Sequence, residues 1–108
     1  MRIRVTDGDV YEVKRTHVYN KLSDLSDDVV KLVASKLNMS VEQAAEMPAL
    51  SLKSADNNDG VFEVIMLTDS KDYIYDTVIE EITREGYYDA REDNVAIISD
   101  AEWRNLLK

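Results

Sequence analysis

Cysteine is absent from the 108 residues. That excludes a disulfide framework, a thiolate nucleophile and a thiolate metal site. Proline occurs once and glycine three times, too few for a linker or a low-complexity segment. There is one histidine, His17, so the usual imidazole cluster around a metal ion cannot be built. A lone histidine can act as a general base only with an orienting partner and a pocket. The polar stretch from Thr16 to Asp24 reads instead as a loop or one irregular turn, with His17 on its surface. No apolar run is long enough to cross a bilayer, and the opening residues lack signal-peptide character. Residence in the cytoplasm is the expectation.

Basic residues are also scarce. Thirteen Lys and Arg face 22 Asp and Glu, for a net charge of −9. The imbalance is uneven: up to Leu22, five bases outnumber three acids, and the remainder carries nineteen acids against eight bases. A surface that binds a phosphate backbone needs a concentrated positive patch, so direct nucleic-acid binding is disfavoured. A protein partner with a basic surface is favoured instead. Reactive motifs are missing as well: no Gly-rich phosphate loop, no Gly-x-Ser-x-Gly elbow and no His-Glu-x-x-His. The segments 27–37 and 41–46 have the spacing of a helix-turn-helix. The second of them carries Glu42 and Glu46 and no base to read a groove.

What is present describes an ordinary globular chain, 44% hydrophobic and 32% charged, of a length that suits a single domain over 1–108. Residues 2–6 alternate Arg2 and Arg4 with Ile3 and Val5, Asp7-Gly8 can turn, and 10–15 resume an extended pattern with Tyr11 and Val13 on one face. A hairpin follows, its charged face paired across the strands. Val29, Val30, Val33, Ala34 and Leu37 recur at helical spacing after Ser26, Asp27 and Asp28, which suit a helix start. Ser40 and Gln43 form a capping-box pair for a short helix over 41–46, ended by Pro48. Residues 50–54 and 61–67 predict a second hairpin. The run 61–67 is apolar on both faces, interrupted only by Glu63, and so suits a central strand.

The stretch 69–98 organises the rest. Ile74, Val78, Ile79 and Ile82, with Tyr75 beside them, give a helix over 71–85 an inner face, and Gly86 supplies its C-terminal turn. Residues 87–91 and 94–98 predict a third hairpin around Glu92-Asp93. Ser99 and Glu102 then predict a capped terminal helix. The expected fold is α+β: a mostly antiparallel sheet built from hairpins in ββα-type units, with helices packed on one side.

Three constellations bear on function. Asp56, Asn58 and Asp59 resemble a calcium loop only in composition. Counted from Asp56, the sixth and twelfth positions are not Gly and Glu, so no metal is expected there. Asp72, Asp76 and Glu80 recur every four residues along the outside of the long helix, a carboxylate ridge that can dock a basic partner. Tyr73 falls on the polar side of that helix, and Tyr87 and Tyr88, being adjacent, point to opposite faces of a strand. Tyrosine combines contact area with a hydrogen-bonding tip, so Asp72, Tyr73, Asp76, Glu80, Tyr87 and Tyr88 are the expected interaction residues. No catalytic residue and no cofactor is assigned.

The sequence therefore points to a small acidic, non-enzymatic interaction or accessory module, of the kind a phage inhibitor or nucleic-acid mimic represents. It would act through an acidic, Tyr-containing surface. The alternatives are a homo-oligomeric structural domain and a small enzyme with a carboxylate and tyrosine pocket.

Overall fold

The alternation at the start of the chain becomes strand β1 (Arg2–Thr6), which pairs antiparallel with β2 (Asp9–Tyr19). The structure is a computed structural model that describes residues 1–6, 9–54 and 61–106. The turn at Asp7-Gly8 and the acidic loop holding Asp56, Asn58 and Asp59 lie outside the described residues. Ile3 stands opposite Tyr11 and Arg2 opposite Glu12. Ile3, Val5, Tyr11 and Val13 share the inner face, while Arg2, Glu12 and Lys14 are exposed. The polar stretch 16–19, expected as loop, instead continues β2. Its backbone pairs with β3 (Ala49–Ser54), so partner hydrogen bonds outweigh weak local propensity. His17 is exposed, as expected, but on a strand.

A 3-10 turn (Leu22–Asp24) leads to helices α1 (Asp27–Leu37) and α2 (Val41–Glu46). Asn38 ends α1 at φ 60°, and the Met39 N–H donates back to the Ala34 carbonyl at 3.0 Å. The Ser40 hydroxyl accepts the Gln43 N–H at 3.0 Å, as a capping box requires. Ser26 occupies the N-cap of α1, but its side chain makes no capping bond.

Strand β4 (Val61–Leu67) pairs with β3 on one side and with β6 (Asn94–Ser99) on the other, so it is central as its composition implied. Leu50, Leu52, Val64 and Met66 pack with Ile74, Val78 and Ile82 of the helix over 71–85, here α3. Ala49, Ile65, Leu67, Ala96 and Ile98 pack with Val29, Val33 and Ala44 of α1 and α2. The terminal helix α4 (Asp100–Leu106) joins that second layer through Trp103 and Leu106. Helices thus cover both faces of the sheet, a correction to the one-sided packing expected. The cause is local: β4 and β6 are apolar in both phases, and one bare face would leave a large apolar patch in water.

Two details depart from strict periodicity. A register shift between Val61 and Glu63 takes Phe62 out of phase with Val64, and its ring meets Trp103 at 5.7 Å between centroids. In α3 the segment Ile74–Ile79 is π-helical. The wider turn keeps Ile74, Val78 and Ile82 buried and leaves Tyr75 53% exposed rather than beside the inner face.

The largest difference concerns the third hairpin. β5 (Tyr87–Asp89) and β6 do not pair with each other. β5 lies parallel to β1, and the order is β5-β1-β2-β3-β4-β6, which places the two strands at opposite ends. Only residues 90–93 join them, a reach of about 17 Å at full extension. The sheet must therefore curl until its outer strands approach each other. Gly86 directs this. At φ 74° it ends α3, and its carbonyl accepts the Arg2 N–H at 2.9 Å, which starts β5 beside β1. The result is an α+β fold on a six-stranded, mostly antiparallel curled sheet; β1–β2 and β3–β4 are antiparallel pairs each followed by helix, and only the third of the units anticipated is not formed. A Cβ at Gly86 would meet nothing within 4 Å. Gly86→Ala should therefore destabilise by about 1 kcal/mol through backbone conformation alone, and Gly86→Asn by less. Urea denaturation of the two variants measures the difference.

Candidate functional site

The curl brings the N-terminal end of α3 against the connection from β5 to β6. Ser70 caps α3, its hydroxyl accepting the Asp72 N–H at 3.1 Å, and Tyr73 follows in the first turn. Tyr88 points inward from β5 and is 5% exposed. Its hydroxyl donates to Asp93 Oδ2 at 2.9 Å and lies 2.7 Å from the Tyr73 hydroxyl. A phenol has one proton, and that of Tyr88 is committed to Asp93, so Tyr73 donates to Tyr88. Burial is the main cause that pushes the Tyr88 phenol far above its ordinary range, and the bonds from Tyr73 and to Asp93 add to it.

Hollows open on both sides of Tyr73. One, of about 580 Å³, is lined by Tyr73, Tyr88, Asp89, Arg91, Glu92 and Asp93. The other, of about 460 Å³, shares Tyr73, Glu92 and Asp93 and reaches Thr68, Asp69 and Ser70. Together they form an acidic groove. Its one cation among the described residues, Arg91, forks onto Asp89, with Nε 2.9 Å from Oδ1 and Nη2 2.7 Å from Oδ2. The neighbouring guanidinium holds the Asp89 carboxyl below the usual carboxylate range. With the Tyr73 proton turned toward Tyr88, that hydroxyl offers lone pairs to the groove, and the carboxylates offer only acceptors. Such a surface suits a donor-rich, positively charged group.

Of the residues expected from sequence, Tyr73 and Tyr88 are brought together here. Asp72, Asp76 and Glu80 remain exposed on α3 and do not line the groove. Glu80 accepts from Arg84 at 3.2 Å. Tyr87 lies on the other face of β5, half-buried, with the Arg4 guanidinium 6.0 Å from its ring centroid. Sequence reasoning missed Asp89, Arg91, Glu92 and Asp93 because it read the first two as part of a strand and the last two as a hairpin tip. Their signal was the charge density that directly follows two tyrosines.

Tyr88→Phe removes the hydroxyl that links Tyr73 to Asp93. A loss of about 1 kcal/mol is expected by urea denaturation.

A second polar group lies elsewhere in the sheet. Glu63, 1% exposed on β4, accepts the Ser51 hydroxyl at 2.5 Å, and its Oε2 has no hydrogen-bond partner among the described residues. Burial pushes this carboxyl above the usual range, against the opposing pull of Ser51 and Lys53. The lone acid in the apolar run 61–67 was its sequence signal.

Compared with known proteins, the chain matches no family model, no curated protein and no solved structure. Among the described residues no group of three or more His, Asp or Glu side chains is placed to hold a metal ion. Among the described residues no helix is long and apolar enough to cross a membrane.

Proposed function

We propose that this protein is a non-enzymatic interaction module whose acidic groove around Tyr73 docks a lysine- or arginine-bearing segment of a protein partner. The observation that carries the reading is the direction of the hydrogen bonds: Tyr73 to Tyr88 to Asp93, which leaves acceptors facing the groove. Asp69, Glu92 and Asp93 add negative charge along it. A guanidinium or ammonium would find carboxylates for its N–H groups and the Tyr73 ring for its face. An accessory or inhibitor role fits this chemistry, since occupying a basic surface blocks whatever that surface binds. The cysteine-free composition suits residence in the cytoplasm.

The exposed ridge of Asp72, Asp76 and Glu80 is a less structured alternative surface, and the two are separable. Titration with a short Lys/Arg peptide, followed by amide NMR, should shift residues 68–73 and 88–94 saturably. The shifts should fade as salt rises to about 0.3 M, where the screening length falls to several Å. Shifts confined to residues 76–84 would assign docking to the ridge, and the absence of saturable shifts would overturn the reading.

A further inference from the structure

The sheet carries a third hollow, of opposite character. β2 and β3 leave a cavity of about 240 Å³ lined by Arg15, Thr16, His17, Tyr19, Ser51 and Lys53. The register explains the gathering: Arg15 stands opposite Lys53, His17 opposite Ser51 and Tyr19 opposite Ala49. Alternate residues of each strand therefore deliver these side chains to one side. In a chain of net charge −9 the described residues of the lining include no carboxylate, and the buried Glu63 carboxyl lies behind them on the Ser51 hydroxyl. Arg15 forms no ion pair among the described residues. The Lys53 ammonium rests 5.1 Å from the Phe62 ring centroid, and His17 packs on Tyr19 with centroids 4.4 Å apart.

The cavity also has a directional floor. The Ser51 proton is committed to Glu63 at 2.5 Å, so toward the cavity the Ser51 oxygen can only accept. The site thus offers two cations for an anion and one acceptor for a donor. At about 30 Å³ per water, its volume equals roughly eight waters, the scale of a molecule with few heavy atoms.

We propose that this cavity binds a small hydroxy acid, its carboxylate held by Arg15 and Lys53 and its hydroxyl donating to the Ser51 oxygen. The site is separate from the acidic groove and does not depend on the function assigned to it.

Three matched probes test the proposal by amide NMR titration of the full chain: lactate, propionate and propane-1,2-diol. Lactate should shift residues 15–19 and 51–53 saturably, propionate more weakly and the diol not at all. Arg15→Gln and Lys53→Gln should each weaken lactate binding about tenfold, the effect of losing one charge-assisted hydrogen bond. Arg15 is exposed, so the rest of that variant's spectrum should be unchanged. Ser51→Ala should abolish the preference for lactate over propionate while propionate still binds. Absence of saturable shifts with lactate, equal binding of the diol, or indifference to both charge substitutions would overturn the site. Equal binding of lactate and propionate to the unaltered chain would overturn the role of Ser51.

Discussion

Leu50→Ala and Ile65→Ala should each destabilise the protein by about 2–5 kcal/mol, although the two side chains lie on opposite faces of the sheet. Both are fully buried. Leu50 packs in the layer beneath α3, and Ile65 in the layer beneath α1 and α2. Each truncation removes several methylene groups and leaves a cavity that rigid neighbours on two adjoining strands cannot collapse to fill. Stabilities of domains this size are of order 5–15 kcal/mol, so either variant should lose a large part of the total. The pair is informative because a sheet covered on one side would tolerate one substitution and not the other. Equal and large losses, measured as shifts in urea midpoint at constant slope, support two covered faces. A loss confined to one variant would contradict them.

Ser51→Ala should cost about 1–3 kcal/mol, because it leaves a buried carboxyl without its donor. Its partner gives the effect a pH signature. Burial raises the folded-state value of Glu63 above the ordinary 4.5. Between the unfolded and folded values the native state binds more protons than the unfolded chain, so this group's contribution to stability falls as pH rises through that window. Glu63→Gln removes the titration. Relative to the wild type, the variant should gain stability as pH rises from about 4.5 toward neutrality and change little below that range. The Ser51→Ala penalty should grow over the same interval, since the charged carboxylate needs the donor more than the neutral acid does. Urea midpoints for the three proteins across this range measure both trends. A Glu63→Gln difference independent of pH would remove the buried titration from the account.

Much of the fold was legible because local and tertiary signals agreed. The hairpin of β1 and β2, the helices at 27–37 and 41–46, the caps at Ser40 and Ser99 and the central position of 61–67 all follow from period, cap chemistry and apolar content. At Ser99 the hydroxyl accepts the Glu102 N–H at 3.2 Å, as the spacing implied. Prediction failed where the partner strand decides. Residues 16–19 extend β2 because β3 lies beside them, and nothing in Thr16-His17 says so. Tyr87–Asp89 and Asn94–Ser99 look like hairpin partners, yet they sit at opposite ends of the sheet. Their short connection fits either arrangement. Strand order comes from long-range pairing, and only Gly86 hints at the turn that sends β5 to β1.

The same limit governed the groove. Tyr73, Tyr87 and Tyr88 stood out in the sequence as candidate interaction residues. That Tyr73 and Tyr88 share a hydrogen bond, and that Asp93 completes the chain, follows from the curl. A ridge on one helix can be counted from the sequence at every fourth residue. A site assembled from α3, β5 and the segment 90–93 cannot be counted in that way.

The central claim is that the groove, and not acidity in general, engages a basic partner. Affinity capture from the host lysate, with the wild type and the Glu92→Gln/Asp93→Asn variant compared at low and moderate salt, tests it most directly. A stoichiometric protein should be retained by the wild type at low salt, released as salt rises and absent from the variant. Bait recovered alone in both cases, or the same protein retained equally by both, would contradict it.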